Sequence, residues 1–395
     1  MSIPIAEGVY WVGHVDWNVR DFHGYRTGRG STYNAYLIQD ERPALIDTVK
    51  APYAGGLLEQ VRQLVDLGQL RYVVCNHAEP DHAGGLSAVM AACPQAELVC
   101  NEKCRATLGR YQATGAWRFR VVRDGETLSL GRHTLTFLDT PMVHWPESMF
   151  TYVAELGLLF SMDAFGQHYA TSGRFDDEIP LDVALAEAKT YYANILMPFG
   201  RPIGRTLERA GGLDLKLVAP SHGVMWRRHI PAILGAYRDW IRCRAKAKAL
   251  IIYDTMWGST AKMAEALAAG ALQPGGEVVV MAVRTAHITD VATEMLDAAA
   301  AAFGSPTLNG TLMPAMAGAL TYLKGLRPEG KTGLAFGSYG WSKGGPEAVE
   351  AYLRDMKLAI LREPIQAPYG PDAAALEACR QAGTLLAEAA RRAVV

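Results

Sequence analysis

The sequence predicts two domains: an α+β first half that is sheet-rich and sandwich-like, and an α/β second half built on a doubly wound parallel sheet. Its 395 residues are more than one hydrophobic core usually serves. In the first half, short strand-like runs are separated by turn sequences. From residue 249 onward, strand, loop and helix patterns alternate as in βαβ units. We place the border between residues 247 and 248, in a short basic connector at 244–248.

Individual elements follow from local patterns of apolar and turn-forming residues. In the first half, apolar runs predict strands at 32–37, 43–47, 72–75, 135–138 and 158–160. In the second half, they predict strands at 249–253, 277–283, 297–303 and 331–336. The same half carries predicted helices at 260–269, closed by Gly270, and from Pro346 onward.

Composition excludes several classes of function. The formal net charge is −1, so no nucleic-acid footprint or polybasic membrane patch is expected. Residues 1–12 lack the pattern of a signal peptide, and no apolar run approaches the roughly 20 residues of a membrane span. The six cysteines form no CxxC pair, which argues against a zinc ribbon or a rubredoxin-type knot. We expect a cytoplasmic protein whose thiols are inert.

A loop directly after a predicted strand carries four potential metal ligands within six residues. They are His77, Glu79, Asp81 and His82, and the first three stand at alternate positions. A loop at a strand end can turn alternate side chains toward one point, and glycines at 84–85 let the backbone bend before the next helix. Solvated polar loops seldom alternate His, Glu and Asp in this way, so the pattern predicts a metal site.

Three further candidates, His144, Asp163 and His222, each follow an apolar, strand-like segment. Taken singly, each could be structural, as a buried histidine bonded to a carbonyl group or an aspartate capping a turn. Together with the loop at 77–82, they complete a set for two metal ions. Imidazoles and carboxylates without thiolate suit iron or manganese, although zinc could occupy the same ligands.

Three loops in the second half indicate a cavity for a phosphate and a flat ring. Residues 254–260 lead from a strand into a helix, so backbone N–H groups together with Ser259 and Thr260 can hold an anion. There is no Walker-type lysine and no GxGxxG motif, which argues against ATP and dinucleotides. Taken alone, the Gly-Ser-Thr string could be an ordinary helix cap.

The other two loops, 304–310 and 337–342, follow later strands of the same sheet. Ligands of open parallel sheets sit at the carboxyl ends of the strands, so the three loops are expected to converge. Tyr339 and Trp341 can flank a flat ring, while residues 305–309 present backbone groups to its polar edge. Loop aromatics could also simply cover the core.

These motifs carry a family resemblance. The HxExDH loop at 77–82, followed by His, Asp and His, resembles the metallo-β-lactamase superfamily, whose fold is an αββα sandwich. Hydrolases of that superfamily usually read HxHxDH and bind zinc, whereas Glu79 in place of the second histidine is similar to the flavodiiron branch. The strings at 9–17, 143–150 and 162–168 also resemble that branch. The loops of the second half resemble flavodoxin, which binds FMN.

The resemblance implies roles for individual residues. His77, Glu79 and His144 would bind one iron ion, Asp81 and His222 the other, and Asp163 would bridge them, with His82 outside the ligand set. The FMN-binding residues would be Thr255, Met256, Trp257, Gly258, Ser259, Thr260, Ser305, Pro306, Thr307, Leu308, Asn309, Ser338, Tyr339, Gly340, Trp341 and Ser342. The residues that line the pocket and supply protons or hydrogen bonds would be His23, Tyr25 and Tyr192.

The resemblance also implies an activity and partners. Electrons would pass from rubredoxin, or a similar one-electron donor served by an NAD(P)H reductase, to FMN and on to two iron ions. These ions would reduce O2 to water or couple two NO to N2O. A head-to-tail homodimer, or a pair of such dimers, would place the FMN of one subunit beside the iron site of the other. No appended rubredoxin or flavin-reductase module is expected. The alternatives are a zinc hydrolase carrying a flavodoxin-like module and a metal-free electron carrier.

Overall fold

The structure is a computed structural model that describes residues 2–394, and it divides into two compact units. The first unit comprises residues 2–191 and 199–238, and the second comprises residues 192–198 and 239–394. The first long strand of the second unit begins at Lys246, before the expected border. The division into domains at 1–247 and 248–395 stays a prediction.

Two sheets contain most of the strands of the first unit. Its strands in chain order are β1 (Ile3–Ala6), β2 (Val9–Trp11), β3 (His14–Asp16), β4 (Asp21–Phe22), β5 (Tyr25–Arg26), β6 (Ser31–Tyr33), β7 (Tyr36–Ile38), β8 (Ala44–Ile46), β9 (Tyr72–Val74), β10 (Glu97–Cys100), β11 (Arg118–Val121), β12 (Thr127–Ser129), β13 (Thr134–Asp139), β14 (Met149–Val153), β15 (Leu158–Met162) and β16 (Leu217–Pro220). One sheet has the order β1-β2-β7-β8-β9-β10-β11 and the other the order β12-β13-β14-β15-β16. Two short pairs, β3 with β6 and β4 with β5, lie outside them.

The two sheets share one hydrophobic core. Val74 and Val99 of the first sheet and Phe137, Val153 and Phe160 of the second are buried in a single apolar cluster. Removing such side chains from water is the main source of folding free energy. The sandwich predicted for the first half is therefore confirmed.

Helices occur throughout the chain. They are α1 (Ala54–Arg62), α2 (Pro80–Ala83), α3 (Leu86–Ala92), α4 (Glu102–Tyr111), α5 (Leu181–Tyr191), α6 (Gly200–Ala210), α7 (Ile230–Trp240), α8 (Ser259–Ala271), α9 (Ile288–Asp297), α10 (Pro314–Leu326), α11 (Gly345–Asp355) and α12 (Ala373–Arg392). A π-helix, Tyr192–Leu196, follows α5, and the short 3-10 helices are Ala51–Tyr53, Leu67–Gln69, Thr114–Ala116, Ala154–Leu156 and Met197–Phe199. Between residues 2 and 394, no helix combines the length and the apolar character needed to cross a bilayer.

The strand predicted at 32–37 is interrupted. The structure forms β6 and β7 with a break at Asn34, whose backbone N–H donates to the Ser221 carbonyl at 2.8 Å. The Asn34 side chain donates to the Pro220 carbonyl, also at 2.8 Å. Tertiary hydrogen bonds therefore replace the ladder at this position, and they tie β6 to the loop that precedes His222.

A parallel sheet organises the second unit. Its strands are β17 (Lys246–Tyr253), β18 (Glu277–Ala282), β19 (Ala298–Gly304), β20 (Thr332–Tyr339), β21 (Ala359–Ile360) and β22 (Ile365–Pro368). The order is β18-β17-β19-β20-β21, with β22 also pairing with β20, and every pairing is parallel. The strand order reverses beside β17, as in flavodoxin-like sheets. The doubly wound sheet predicted for the second half is confirmed.

The sequence suggested that Gly270 ends α8, but in the structure Gly270 lies inside this helix. A Cβ atom on Gly270 would lie 1.8 Å from the Arg380 carbonyl oxygen of α12. In α12, a Cβ on Gly383 would lie 2.0 Å from the Leu267 carbonyl oxygen of α8. Both glycines therefore serve the close approach of two helices.

Candidate functional site

The candidate metal ligands collect at strand ends of the first unit. The loop after β9 and the start of α2 supply four of them, the β13–β14 loop supplies one, and the segments after β15 and β16 supply one each. In that order they are His77, Glu79, Asp81, His82, His144, Asp163 and His222. Since β9 pairs within one sheet and β15 within the other, the fold brings together residues that are distant in sequence.

The side chains form two groups joined by one carboxylate. The first group is His77, Glu79, His144 and Asp163, and the second is Asp81, His82 and His222. Oδ2 of Asp163 lies 3.4 Å from Nε2 of His77 and 3.3 Å from Nε2 of His144. Its Oδ1 lies 3.2 Å from Nε2 of His82 and 3.6 Å from Nε2 of His222. Asp163 thus faces both groups.

Several buried polar atoms of these groups make no hydrogen bond of normal geometry. They are Oδ1 of Asp81, both carboxylate oxygens of Asp163, and both ring nitrogens of His82. Burying unpaired polar and charged atoms is costly unless a metal or a partner satisfies them. A set of imidazole and carboxylate donors without thiolate suits hard or intermediate divalent ions. The residues therefore fit two adjacent metal ions, and the assignment of each ligand stays a prediction.

His82 differs from its expected place outside the ligand set. Its Nε2 lies 3.2 Å from Oδ2 of Asp81, and Nε2 of His222 lies 3.1 Å from the same oxygen. The side chain of His82 is 1% exposed. We therefore add His82 to the candidate donors of the second group.

The pKa values of several side chains in the first ligand group are strongly shifted. Burial by itself would lower the pKa of His77, but hydrogen bonds to Glu147 and Glu79 raise it to about 9. Burial likewise opposes the shift at His144, where hydrogen bonds to Asp163 and Glu79 raise the pKa to about 10. Burial would raise the pKa of Glu79, yet hydrogen bonds from His144, His23 and His77 hold it far below its usual value. Positive charge is favoured among these carboxylates, which is the environment that a cation requires.

Outer partners orient two of the imidazoles. Nδ1 of His77 donates to Oε1 of Glu147 at 2.8 Å, and Nδ1 of His222 donates to the Thr32 carbonyl at 2.6 Å. In each ring this leaves Nε2 directed at the carboxylates of its group. Such hydrogen bonds fix the tautomer that a metal needs. Glu147 lies in the string at 143–150, but the sequence alone did not mark it as functional.

A cavity of about 380 Å³ opens beside the groups. His23, Glu79 and Asp81 are among its lining residues, and Nε2 of His23 donates to Oε1 of Glu79 at 2.8 Å. Tyr25, a buried residue, is hydrogen-bonded through its hydroxyl to Nε2 of His168 at 2.8 Å. Burial and the neighbouring His222 hold the pKa of His168 well below its usual value, so this imidazole is neutral. The structure thus brings His23 to the cavity and Tyr25 into a buried hydrogen bond nearby.

The pocket role expected for Tyr192 stays a prediction, and its neighbour Tyr191 is the tyrosine whose ring contacts the histidines of the first unit. The ring of Tyr192 packs against Trp240, with the centroids 5.3 Å apart. It is Tyr191 whose ring lies 5.9 Å from that of His222 and 4.9 Å from that of His168. Burial first, and then the charge of Asp163, raise the pKa of Tyr191 well above its usual value. Tyr191 ends α5 and Tyr192 begins the π-helix, and the two rings have different neighbours.

The second unit has a cavity of about 500 Å³, within the range of small-molecule sites. Its lining residues are Met256, Trp257, Ser259, Pro306, Thr307, Leu308, Asn309, Gly310, Ser338, Tyr339, Gly340, Trp341, Ser342 and Tyr369. The three predicted loops therefore converge. Trp257 and Trp341 are 93% and 92% exposed, so flat apolar rings are available to stack on a planar ligand. Gly258 has φ +83 and precedes α8, whose first N–H groups can hold a phosphate.

Four of the predicted cofactor-binding residues do not line this cavity, namely Thr255, Gly258, Thr260 and Ser305. Thr255 accepts the Gly258 N–H at 3.1 Å and shapes the loop. The Thr260 hydroxyl is buried and bonded to the Ser338 hydroxyl at 3.0 Å, and the Ser305 hydroxyl accepts the Met313 N–H at 2.8 Å. These hydroxyls therefore form hydrogen bonds with backbone N–H groups or with another hydroxyl, and they do not point into the cavity.

Gly310 and Tyr369 line the cavity but were missed. Tyr369 follows the carboxyl end of β22, which pairs in parallel with β20. The rule that located the other three loops also applies to this strand end. β22 is short and only partly apolar, so its sequence pattern gave no clear strand signal.

Comparison with known proteins agrees with both units. The model of the "ODP family beta lactamase" matches residues 32–223, and the flavodoxin model matches residues 251–383. A nitric oxide reductase of Moorella thermoacetica is 45% identical over 98% of this chain and 99% of its own length. An anaerobic nitric oxide reductase flavorubredoxin of Salmonella arizonae is 38% identical over 97% of this chain and 81% of its own.

Solved structures extend the similarity to the whole fold. The flavodiiron protein from Giardia intestinalis gives a TM-score of 0.96 at 39% identity, covering 100% of this chain and 98% of its own. Rubredoxin oxygen:oxidoreductase from Desulfovibrio gigas gives 0.96 at 36% identity, with 100% of both chains covered. Fold and sites define a protein that joins a lactamase-like unit with a metal centre to a flavodoxin-like unit. The chain belongs to the flavodiiron protein family.

Proposed function

We propose that this protein is an oxidoreductase that uses FMN and two iron ions to reduce O2 to water, NO to N2O, or both. The observation that carries the proposal is the pair of buried ligand groups joined by Asp163. A hydrolytic zinc site needs no flavin, whereas this chain also has a cavity with flavodoxin-like loops. FMN passes electrons one at a time, and a pair of iron ions can bind and reduce a diatomic gas.

The protein's own residues supply positioning and protons in this proposal. His23, Tyr25 and Tyr191 hold N–H or O–H protons close to the ligand groups. Because the pKa of Tyr191 is raised well above its usual value, its phenol keeps its proton at neutral pH. His23 restrains Glu79 by a charge-assisted hydrogen bond. His23 can deliver protons in a reaction that forms water, whereas Tyr25 and Tyr191 serve as hydrogen-bonding groups.

The partners belong to the same proposal. Two relatives bear names that contain rubredoxin, and we propose rubredoxin or a similar one-electron carrier, served by an NAD(P)H reductase, as the donor. We also propose a cytoplasmic head-to-tail homodimer or a pair of such dimers. The absence of helices able to cross a bilayer between residues 2 and 394 is compatible with that location.

The test measures O2 and NO consumption with an electrode. The full chain, loaded with FMN and iron, is supplied with reduced rubredoxin and its reductase. Asp81→Asn and His144→Ala should keep FMN and lose gas consumption, because each removes one candidate ligand. Retained turnover in either variant would contradict the proposal.

A matched control variant is Asp40→Asn. Asp40 binds the buried His133 at 2.8 Å in the same kind of carboxylate–imidazole pair, and neither residue belongs to the ligand groups. This variant should keep both FMN and gas consumption. A protein that is purified with zinc and consumes neither gas would instead favour the hydrolase. The ratio of the O2 and NO consumption rates would identify the preferred gas.

A further inference from the structure

We infer that Glu147 is a positioning residue that makes the two metal positions unequal, so that the ion held by His77, Glu79 and His144 is bound more tightly than the ion held by Asp81, His82 and His222. The inference rests on the proposed binding of two metal ions. It concerns a residue that is outside the ligand groups.

The two positions have matching sets of donors. The first has two imidazoles, one carboxylate of its own and Oδ2 of Asp163. The second has two imidazoles, one carboxylate of its own and Oδ1 of Asp163. Neither the number nor the charge of the donors therefore distinguishes the positions. We therefore infer a difference in affinity from the groups behind the ligands.

Behind the first position stands a buried, fixed carboxylate. Glu147 is 1% exposed, and its Oε1 accepts from Nδ1 of His77 at 2.8 Å and from the Ala78 N–H at 3.3 Å. Its own carbonyl accepts from the Asn101 side chain at 2.9 Å. A carboxylate in this place holds the ring in one orientation and increases the electron density that Nε2 offers a cation.

Behind the second position stand weaker partners. Nδ1 of His222 donates to the neutral carbonyl of Thr32 at 2.6 Å. Nδ1 of His82 is buried and makes no hydrogen bond of normal geometry within residues 2–394. Among residues 2–394, no carboxylate is hydrogen-bonded to the outer nitrogen of either ring, so these imidazoles are poorer donors than His77. The second ion should therefore leave first.

The experiment follows zinc release from the full chain into a chelating dye. Zinc is the probe because it does not change oxidation state. The native chain, loaded with two zinc ions, should release them in two phases of equal amplitude whose rates differ by at least about tenfold. His144→Ala should remove the slow phase, and His82→Ala should remove the fast one. A single phase in the native chain would overturn the inference.

Glu147→Gln keeps an acceptor oxygen of the same size but removes the charge. It should accelerate the slow phase by about 10–100-fold, the usual effect of losing an outer partner, and leave the fast phase unchanged. Asp40→Asn removes the carboxylate behind His133 and should change neither phase. Equal acceleration of both phases, or of the fast phase alone, would overturn the role of Glu147.

A second variant separates charge from packing. Glu147→Asp keeps the charge but withdraws it by one methylene, so it should accelerate the slow phase less than Glu147→Gln does. Equal acceleration by both variants would overturn the electrostatic role. If Glu147→Gln does not fold, Glu147→Asp alone is decisive: acceleration of the slow phase only supports the role of Glu147, and acceleration of both phases or of neither overturns it. A native chain that binds no zinc, or only one ion, would instead contradict the proposed pair of metal ions.

Discussion

The candidate sites of the two units are built from different parts of the chain. In the first unit, the site consists of side chains, nearly all buried, and two of its imidazoles are oriented by further hydrogen bonds. In the second unit, loops at strand ends and a helix N-terminus shape an open cavity whose largest rings, Trp257 and Trp341, are almost fully exposed. The first site therefore depends on the donor atoms of particular side chains, whereas the second depends on loop backbone and exposed apolar rings.

This difference determines how each site responds to mutation. A coordinating side chain is hard to replace, because the new residue must place a suitable donor atom at the same point. A phosphate held by backbone N–H groups depends on the local conformation more than on any one side chain. We therefore expect large, site-specific losses in the first unit and graded losses in the second.

The largest effect is expected for Asp163→Ala. This residue faces both ligand groups, so its removal should weaken binding of both ions by more than about 100-fold, beyond the usual effect of an outer partner. Iron analysis should show an almost metal-free protein without gas consumption, while the FMN content stays unchanged. Loss of FMN together with iron would show that the two sites are not separable by mutation.

A smaller effect is expected for Trp341→Ala in the flavin cavity. A ring stacked on a planar ligand contributes about 1–3 kcal/mol, so the Kd for FMN should rise by about 5–150-fold. Fluorescence titration of the FMN-free protein measures this change. Trp17→Ala removes a tryptophan that is 53% exposed in the first unit and should leave the Kd unchanged. An unchanged Kd for Trp341→Ala would show that this ring does not stack on FMN.

The same contrast explains what could be predicted from the sequence. Coordination demands particular side chains at particular spacings, so His77, Glu79 and Asp81 could be recognised as a motif, and the structure brings them together with His144, Asp163 and His222. The fold of each unit followed from apolar periodicity and was confirmed. Choices between neighbouring residues were less secure. Tyr192 was named from the family resemblance and stays a prediction, while the ring contacts with His168 and His222 belong to Tyr191.

For the flavin cavity, the sequence located the loops but not every residue. Thr255 and Ser305 lie in the right loops, yet their hydroxyls bond to the backbone. Whether a hydroxyl turns toward a ligand or toward its own loop depends on local torsions that the residue type does not specify. Glu147 shows the same limit in the metal site, since a glutamate becomes an outer partner only when the fold brings it to His77.

The smallest effect, and the sharpest test of backbone against side chain, is expected for Ser259→Ala. Ser259 lines the cavity at the start of α8, where N–H groups already serve the anion. Loss of one hydroxyl should cost about 1 kcal/mol and raise the Kd for FMN about fivefold. The matched variant is Thr260→Val, whose wild-type hydroxyl is bonded to Ser338. It should lower the free energy of unfolding by about 1–3 kcal/mol and change the Kd less than Ser259→Ala does. A Thr260→Val variant that keeps its stability and loses as much FMN affinity would place Thr260 among the phosphate-binding residues, and the sequence-based assignment would then be the better one.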